Sequence, residues 1–406
     1  MFEKRIKGHH SGHPNKSEFA TKEDLYEFLE DGVPEQKEGV IYFHVPFCDT
    51  ICSFCSMNRS KLDGELDDYT QYLLGEIDKY SKFSYIQQKS FESVYFGGGT
   101  PTTLKERHLE KILKAINEKF NISKTCEFSF ETTLHNLNIS KVRLMQSLGV
   151  NRFSIGVQTF SEAGRKLLNR THSKEAAIEH LKKIKDEFKG FVCTDIIYNY
   201  PNETEEEVRE DARILKDIAV DSTSFYSLQF LDGSVLSNTF SQDYYNIETD
   251  RKLHNAFVEE MFKGGDYEFL EYTKLNRKGR DEYKYIRLSH VGADVLPIGV
   301  SAGGQLGEFG IFNMRADLQM IGILPPEERN RKKFNALFQY HDIKFSDMKR
   351  YVSDETFANL MEFFKKCESE GYMSIKPDGI ELSLDGVFWG NTIADEVAKI
   401  AKKEFE

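Results

Sequence analysis

The sequence predicts an α/β protein made of parallel strand–helix–strand units, followed by a smaller module of different character. The first observation is an alternation that runs from residue 39 to about residue 325, in which short β-rich runs are separated by longer helix-like stretches. The second is a change of pattern from about residue 326 to residue 406. Because such alternation is typical of parallel βαβ units, we expect a full or partial barrel, or a doubly wound sheet.

The alternating region contains seven predicted strands and six predicted helices. The strands are 40–45, 93–98, 127–132, 152–157, 191–198, 224–230 and 293–299. The helices are 67–82, 105–119, 140–148, 174–188, 204–218 and 250–263. Thr204 is the predicted N-cap of its helix, because a hydroxyl can accept from the first turn and acidic residues are favourable there.

Both ends of the chain differ from this region. Residues 326–406 are predicted to form helix, helix, hairpin and helix, with a Lys-Pro-Asp-Gly turn at 376–379, which resembles a winged-helix module with a packing or lid role. Residues 1–38 form a polar N-terminal extension, for which we expect a solvated tail. Its histidines His9, His10 and His13 leave a role in contacting a metal or haem open.

Composition excludes several classes of function. The chain has 406 residues, with 66 acidic and 54 basic side chains and a net charge of −12, which disfavours a nucleic-acid partner. No apolar run reaches the roughly 18 residues of a membrane span, and the N-terminus lacks the apolar core of a signal peptide. We therefore expect a cytoplasmic protein, in which the six cysteines are not paired as disulfides.

Three of the six cysteines, Cys48, Cys52 and Cys55, fall within eight residues as C-x3-C-x2-C. A structural zinc site needs four ligands, and His44 could be the fourth, so zinc stays open. Three thiolates also suit a [4Fe–4S] cluster, because they would hold three irons and leave the fourth open to an exogenous ligand. An odd number of thiols is then a requirement of the site.

Other polar residues fall at the carboxyl ends of predicted strands, where barrels place functional groups. GGGTPT (97–102) ends the second strand, and its glycines permit a close backbone approach or a positive φ. Glu131 and Gln158 end the next two strands, and Asp195 interrupts an apolar fifth strand. The alternatives are a tight turn for GGGTPT, a structural ion pair for Glu131 and Asp195, and a surface position for Arg170.

Together these motifs resemble the radical S-adenosylmethionine (SAM) superfamily. In that superfamily the open iron binds SAM, which is cleaved reductively to a 5′-deoxyadenosyl radical. The finer resemblance is to the oxygen-independent coproporphyrinogen III oxidase group, through IYFHVPFC, CSFC, YFGGGTPT, GVNRFSIGVQTF, LLNRTH and TDIIYNYPNET. It implies a partial (βα)6-type radical SAM barrel over residues 39–325 and a winged-helix-like module over 326–406.

The resemblance also implies a set of site residues, although it assigns no catalytic residue. Cys48, Cys52 and Cys55 would hold the [4Fe–4S] cluster, and two SAM molecules would bind side by side. Contacts to the first SAM are expected from Tyr42, Gly98 and Glu131. Contacts to the second SAM are expected from Phe54, Gly99, Thr100, Gln158, Arg170 and Asp195, with Gln229 and Gln305 as further candidates.

Several segments depart from the oxidase and haem chaperone patterns, namely Met57, SLQF (227–230) and 267–285. The glycine-rich segment 292–316 resembles the haem-utilisation branch, whose methyltransferases (anaerobilin synthases) methylate and open haem anaerobically and release iron. That function is the prediction, and the alternatives are coproporphyrinogen III decarboxylation and a haem chaperone role. The expected partners are haem or a related tetrapyrrole and a low-potential electron donor such as a flavodoxin. Candidate haem contacts are Arg280, Arg287, Arg315, His44 and His290.

Overall fold

The computed structural model describes residues 1–7, 17–56, 60–61 and 65–406. The strands are β1 (Glu18–Phe19), β2 (Glu38–Val45), β3 (Phe47–Cys48), β4 (Ser60–Lys61), β5 (Ser90–Gly98), β6 (Ile122–Thr133), β7 (Arg152–Gln158), β8 (Phe191–Tyr198), β9 (Ser222–Ser227), β10 (Tyr267–Glu271), β11 (Lys274–Arg277), β12 (Asp294–Ile298), β13 (Gly303–Leu306), β14 (Phe309–Arg315), β15 (Leu318–Ile323), β16 (Asp342–Lys344), β17 (Met373–Ile375) and β18 (Gly379–Leu382).

The helices are α1 (Lys22–Asp31), α2 (Leu66–Tyr80), α3 (Ser84–Gln87), α4 (Glu106–Lys119), α5 (Ile139–Ser147), α6 (Glu162–Leu167), α7 (Lys174–Glu187), α8 (Glu205–Ile218), α9 (Val235–Thr239), α10 (Ile247–Phe262), α11 (Lys284–His290), α12 (Pro326–Leu337), α13 (Phe345–Met348), α14 (Asp354–Ser369), α15 (Leu384–Phe388) and α16 (Gly390–Ile400). In the part of the chain described here, no helix combines the length and the apolar character needed to cross a bilayer.

Parallel strands form the centre of one large mixed sheet, in the order β12-β2-β5-β6-β7-β8-β9. Beyond β12 the sheet continues through antiparallel strands β13, β14, β15 and β1, and beyond β9 through β11 and β10. The α/β fold class is therefore confirmed. All seven predicted strands are present, and the six predicted helices correspond to α2, α4, α5, α7, α8 and α10.

Thr204 caps helix α8 as its sequence predicts. Its hydroxyl accepts a hydrogen bond from Glu207 N at 3.2 Å, and the Glu207 carboxylate accepts one from Thr204 N at 2.8 Å. This reciprocal pair satisfies two backbone donors that would otherwise have no partner in the first turn. The cap thereby sets where the chain turns back from β8 into the helix.

Alternation along the central strands separates the hydrophobic core from the site. Phe43, Phe96 and Phe130 stack on the helix-covered face, with ring centroids 4.4 Å and 4.1 Å apart. Successive side chains on a strand point to opposite faces. The neighbouring residues Tyr42 and Tyr95, which are directly paired across β2 and β5, therefore face the concave side of the sheet.

The C-terminal segment has a core of its own, which includes the buried residues Phe334, Phe364 and Trp389. Its small sheet has the order β16-β18-β17, and the predicted turn is present, with Lys376 N donating to Gly379 O at 2.8 Å. The predicted division at residue 326 stays a prediction. Tyr272, from the preceding region, is also part of this second core.

The expectation of a solvated N-terminal tail is wrong for the part that the structure describes. Helix α1 buries Leu25 and Leu29 completely in the main core. The Arg5 guanidinium donates to the carboxylate of Asp250 at 2.9 Å, and Phe2 stacks on Tyr372. The average composition of this segment is polar, so it did not indicate that a short amphipathic helix packs into the core or that the mostly buried Arg5 forms an ion pair. His9, His10, His13 and Met57 lie outside the described residues.

Candidate functional site

One cavity at the carboxyl ends of the parallel strands brings together most of the predicted site residues. It contains all three clustered cysteines and seven of the nine predicted SAM contacts, and neither of the two further candidates, Gln229 and Gln305. The predicted residues that line it are Cys48, Cys52, Cys55, Phe54, Gly99, Thr100, Glu131, Gln158, Arg170 and Asp195. We call it the thiol cavity. Because parallel strands end at one edge of the sheet, residues far apart in sequence converge there.

Two of the thiols have polar neighbours from other parts of the chain. Cys48, at the end of β3, lies with its sulfur 3.5 Å from the Thr100 hydroxyl. Arg170 donates from Nη1 to the sulfur of Cys52 at 3.0 Å and from Nη2 to Gly156 O at 2.5 Å. The Arg170 guanidinium thereby fixes the position of the Cys52 sulfur at the thiol cavity. Arg170 is thus a partner of the cysteine loop, not a solvated surface residue.

The GGGTPT turn holds the cysteine loop through its backbone. Gly99 N donates to Val45 O and Thr100 N donates to Phe47 O, each at 2.8 Å. A Cβ at Gly99 would lie 2.6 Å from Phe47 O and 3.0 Å from the Cys48 sulfur. Gly98 has a φ of +114°, which favours glycine. The glycines therefore allow close packing against the loop, and the N–H groups of Gly99 and Thr100 are already used within the protein.

Glu131 is held at the wall of the thiol cavity by two donors. Tyr95 Oη donates to one carboxylate oxygen at 2.7 Å, and Gly98 N donates to the other at 3.2 Å. Burial raises the pKa of Glu131 to about 7; the two hydrogen bonds oppose this rise, and the charge of Asp195 adds to it. The carboxyl can therefore change its charge near neutral pH.

Asp195 faces the same cavity and accepts a hydrogen bond from Ser154 Oγ at 3.3 Å. Among the described residues, neither Asp195 nor Glu131 lies within salt-bridge distance of a lysine or arginine. The alternative of a structural ion pair for these two acids therefore finds no support. Two carboxylates without cationic partners leave a site suited to a positively charged ligand.

The other predicted SAM residues take different positions. Tyr42 lies behind the cavity wall, where its hydroxyl is 3.0 Å from His44 Nδ1, and Gly98 lies between Glu131 and His44. Gln229 lines a separate cavity near the N-terminus, where its amide donates to Lys7 O at 3.0 Å. Strand β9 ends at Ser227, so the chain leaves the sheet before Gln229.

The zinc alternative lacks a ligand set in the described part of the chain, where no three His, Cys, Asp or Glu side chains form a group that could hold one metal ion. His44 shares its Nδ1 with Tyr42, its Nε2 is packed against Gly98, and burial lowers its pKa to about 4. A four-iron cluster places its thiolates on separate irons, so they need not converge on one point. Three cysteines around one cavity, with Arg170 on one sulfur, fit such a cluster.

The candidate haem contacts are mostly occupied by partners of their own. The arginines are paired with carboxylates, namely Arg280 with Asp221 at 2.8 Å, Arg287 with Glu282 at 3.1 Å and Arg315 with Asp317 at 3.5 Å. His290 Nδ1 lies 3.0 Å from Tyr340 Oη. Gln305 lines a second cavity beside strand β12 and does not line the thiol cavity.

Sequence reasoning missed the tyrosines that support Glu131. Tyr95 binds its carboxylate, and Tyr285 stacks on Tyr95 with ring centroids 4.4 Å apart. Alternation on the second predicted strand could have placed Tyr95 beside Tyr42. No local pattern could have predicted the contact of Tyr285 with Tyr95, because Tyr285 lies on helix α11, far along the chain from the strand of Tyr95.

Comparison with known proteins identifies one family model that matches part of the chain. The model of the radical SAM superfamily matches residues 42–215. The anaerobilin synthase of Escherichia coli O157:H7 is 26% identical over 282 residues, which cover 69% of this chain and 63%, less than two thirds, of that protein. The heme chaperone HemW of Buchnera aphidicola subsp. Schizaphis graminum is 28% identical over 376 residues, 87% of this chain and 96% of that one.

Among solved structures, coproporphyrinogen III oxidase (HemN) from Escherichia coli, described as a radical SAM enzyme, has the same fold. The TM-score is 0.76, the identity is 20%, and the match covers 93% of each chain. A radical SAM domain implies a [4Fe–4S] cluster and SAM. The oxygen-independent coproporphyrinogen III oxidase of Escherichia coli (strain K12) is 27% identical over 198 residues, 47% of this chain and 42% of that protein. The chain therefore contains a radical SAM domain and is a homologue of the anaerobilin synthase, HemW and coproporphyrinogen III oxidase proteins.

Proposed function

We propose that this protein is a cytoplasmic enzyme that degrades haem without oxygen, using two SAM molecules to methylate and open the porphyrin ring with release of iron. The observation that carries the proposal is the thiol cavity, where the three cysteines share one space with predicted contacts to both SAM molecules. A reaction in which one SAM starts the chemistry and another donates a carbon needs both molecules beside the cluster. A low-potential electron donor such as a flavodoxin is part of the proposal.

Each side chain has a defined task in this proposal. Cys48, Cys52 and Cys55 would hold the cluster, which when bound supplies the electron for reductive SAM cleavage. Glu131, fixed by Tyr95 and Gly98, is positioned to accept hydrogen bonds from the ammonium group of the first SAM. Rigid contacts of this kind orient the reacting groups and exclude water, which is the protein's share of radical chemistry.

The second SAM would lie on the other side of the cavity. Phe54 offers an aromatic face there, and Arg170 and Asp195 offer opposite charges. SAM carries a sulfonium, an ammonium and a carboxylate, so a wall with an unpaired acid and an arginine complements it. Gln229 does not share this cavity, so its proposed contact would need a different arrangement of the N-terminal segment.

A haem chaperone is the second candidate function. It is favoured by the extent of the HemW similarity, which covers more of both chains than the similarity to anaerobilin synthase does. A chaperone would bind haem and retain it intact. The two functions therefore make opposite predictions for the fate of the macrocycle.

The test is anaerobic turnover by the reconstituted protein with SAM, a strong reductant and haem. The Soret band is followed by absorbance and the products by mass spectrometry. We expect loss of the Soret band, 5′-deoxyadenosine and a methylated open tetrapyrrole. A stable Soret band on haem-bound protein would favour the chaperone, and turnover restricted to coproporphyrinogen III with release of carbon dioxide would favour the oxidase.

Matched cysteine variants show whether the activity needs the cluster. Cys52→Ala should lose cluster iron and turnover together. Cys367→Ala removes a buried thiol from the second core, far from the thiol cavity, and should retain both. Equal loss in the two variants would mean that the iron is not held by the C-x3-C-x2-C cysteines.

A further inference from the structure

A second cavity of about 610 Å³ lies on the extension of the sheet beyond β12. Its floor is the antiparallel ribbon β13–β15, and one wall is helix α12. We call it the ribbon basin. Its volume falls within the roughly 300–1,000 Å³ of small-molecule sites. It is distinct from the thiol cavity, and no residue lines both.

The floor of the ribbon basin is largely apolar. Gly303 pairs with Phe312, Phe312 pairs with Met320, and Gly310 pairs with Gly322, so these residues share one face of the ribbon. Gly303 leaves open space beside Phe312, whereas Leu324 covers Gly310 and Ser17 covers Gly322. Phe312 is 45% exposed and Met320 is 58% exposed. Large exposed apolar side chains that meet on one face indicate a binding surface.

The wall of the basin carries three cations, of which only Arg329 has an acid within salt-bridge distance among the described residues. Arg329, Lys332 and Lys333 line it. The Nε of Arg329 is buried and has no hydrogen-bond partner within the described ranges, and the carboxylate of Glu35 is 3.9 Å from its Nη1. The neighbouring Arg331, by contrast, is paired with Glu328 at 2.5 Å.

Neither lysine of the wall forms a salt bridge with a described residue. Burial lowers the pKa of Lys332, and the charge of Glu328 offsets this in part. In a chain with a net charge of −12, cations are expected to find acids readily. Two lysines without salt bridges, next to an arginine whose buried Nε has no hydrogen-bond partner, point to an anionic ligand at this wall.

The basin and the thiol cavity meet at the tyrosine cluster. Tyr285 lines the basin and stacks on Tyr95 and Tyr42 at 4.4 Å and 5.8 Å, and Tyr95 in turn binds Glu131. The rings separate the two spaces. A ligand in the basin would therefore lie beside the thiol cavity without entering it.

We propose that the ribbon basin is a tetrapyrrole-binding site, where a flat macrocycle lies on the apolar floor at Gly303, Phe312 and Met320 and its propionates pair with Lys332, Lys333 and Arg329. The choice of a tetrapyrrole rests on the proposed function. The apolar floor and the cations of helix α12 are independent of it. The site would hold the macrocycle next to the radical chemistry and is separate from the predicted SAM contacts.

The test is a titration of haem into the reconstituted full-length protein, without SAM or reductant, followed by the Soret shift. Gly303→Ile is the decisive variant. Its Cβ would meet only a ring carbon of Phe312 at 3.5 Å and Ile311 O at 3.9 Å, which are ordinary contacts, and a β-branched residue suits a strand. The larger side chain fills the floor, so we expect haem affinity to fall at least tenfold with an unchanged thermal unfolding midpoint.

The charge is tested by Lys332→Glu/Lys333→Glu against a matched control, Lys365→Glu/Lys366→Glu, two adjacent exposed lysines on helix α14. The first pair should weaken haem binding about tenfold or more, and the control should not. Haem dimethyl ester, which lacks free propionates, should bind the wild type weakly. Its affinity should be the same for Lys332→Glu/Lys333→Glu and for the control Lys365→Glu/Lys366→Glu.

Unchanged haem affinity in both Gly303→Ile and Lys332→Glu/Lys333→Glu would overturn the proposal, as would the absence of haem binding by the wild type. The outcome is separable from that of the proposed function. Binding that depends on the basin, in a protein that never opens the ring, would support the site and reject the degrading activity. Ring opening with an unchanged KM in Gly303→Ile would reject the site and leave the activity standing.

Discussion

Loss of the Arg152 charge should strongly destabilise the barrel. The Arg152 guanidinium, at the start of β7, donates to both oxygens of Asp281, from Nε at 3.0 Å and from Nη2 at 2.9 Å. Neither side chain has any exposed surface. Asp281 also accepts from Ser222 Oγ and Tyr283 N, so the pair fastens the segment before α11 to the inside of the sheet.

The expected size of the effect follows from this burial. Arg152→Met would leave the Asp281 carboxylate without a cation in a dry site, which costs about 3–5 kcal/mol. That is a large part of the stability of a typical domain, about 5–15 kcal/mol. Arg152→Met/Asp281→Leu removes both charges of this pair but leaves the buried Glu127, whose carboxylate lies 4.0 Å from Arg152 Nε, without that cation, so it should recover only part of the loss.

The measurement is urea unfolding followed by circular dichroism, with a surface pair as control. Arg143 makes the same two-point contact with Glu187, at 3.0 Å and 2.8 Å, but its side chain is 65% exposed. Arg143→Met should leave the free energy of unfolding close to that of the wild type, because water screens an exposed ion pair. A double variant as unstable as Arg152→Met, or a cost below about 1 kcal/mol for Arg152→Met, would refute the reasoning.

The pair also predicts a response to acid. Burial alone would raise the pKa of Asp281, but the charge and hydrogen bonds of Arg152 more than reverse this and hold the pKa well below its usual range. A depressed carboxyl pKa stabilises the folded state above the unfolded value of about 3.9, and this contribution is lost as the pH falls towards the folded value. Below about pH 4, the wild type should therefore lose stability more steeply than Arg152→Met/Asp281→Leu.

Three further predictions concern the site and the N-terminal segment. Because the pKa of Glu131 is about 7, its ionised fraction and the apparent SAM affinity should fall about tenfold from pH 8 to pH 6. Glu131→Gln should abolish that part of the pH dependence in equilibrium SAM binding, and an identical profile in both proteins would contradict the assignment. Gly99→Ala, whose Cβ would meet Phe47 O at 2.6 Å, should lower cluster iron content, whereas Gly75→Ala, with no atom within 4 Å, should leave iron unchanged and stabilise helix α2 by about 0.5–1 kcal/mol. Arg5→Met should destabilise the fold by about 3 kcal/mol in thermal unfolding, because it leaves the fully buried Asp250 without its cation. The control Arg350→Met, at an exposed arginine, should cost less than about 0.5 kcal/mol. Equal effects in the two variants would show that the Arg5–Asp250 pair contributes nothing to stability.

The alternating strands, the helices between them and the cysteine loop were predictable from the sequence because their determinants are local. The hydrophobic periodicity of a strand differs from that of a helix, so the two can be told apart along the sequence. Thr204 and Glu207 form a helix cap within four residues of each other. The carboxyl ends of parallel strands share an edge, so this rule alone brought Glu131, Gln158 and Asp195 to the cavity of the cysteines. The need for glycine at position 99 was also predictable in general terms, because a close approach between two backbone segments leaves no room for a side chain.

Tertiary structure alone decided the features that depend on contacts between distant segments. Gln229 belongs to a predicted strand, but β9 ends at Ser227, and the Gln229 side chain donates a hydrogen bond to Lys7 O. Tyr285 contacts Tyr95 from a helix about 190 residues later, and Asp281 pairs with Arg152 across a separation of 129 residues. The cations of α12 become a wall only because the β13–β15 ribbon folds beneath them. Sequence patterns record local periodicity, whereas which buried charges and rings meet is determined by the packing of the whole chain.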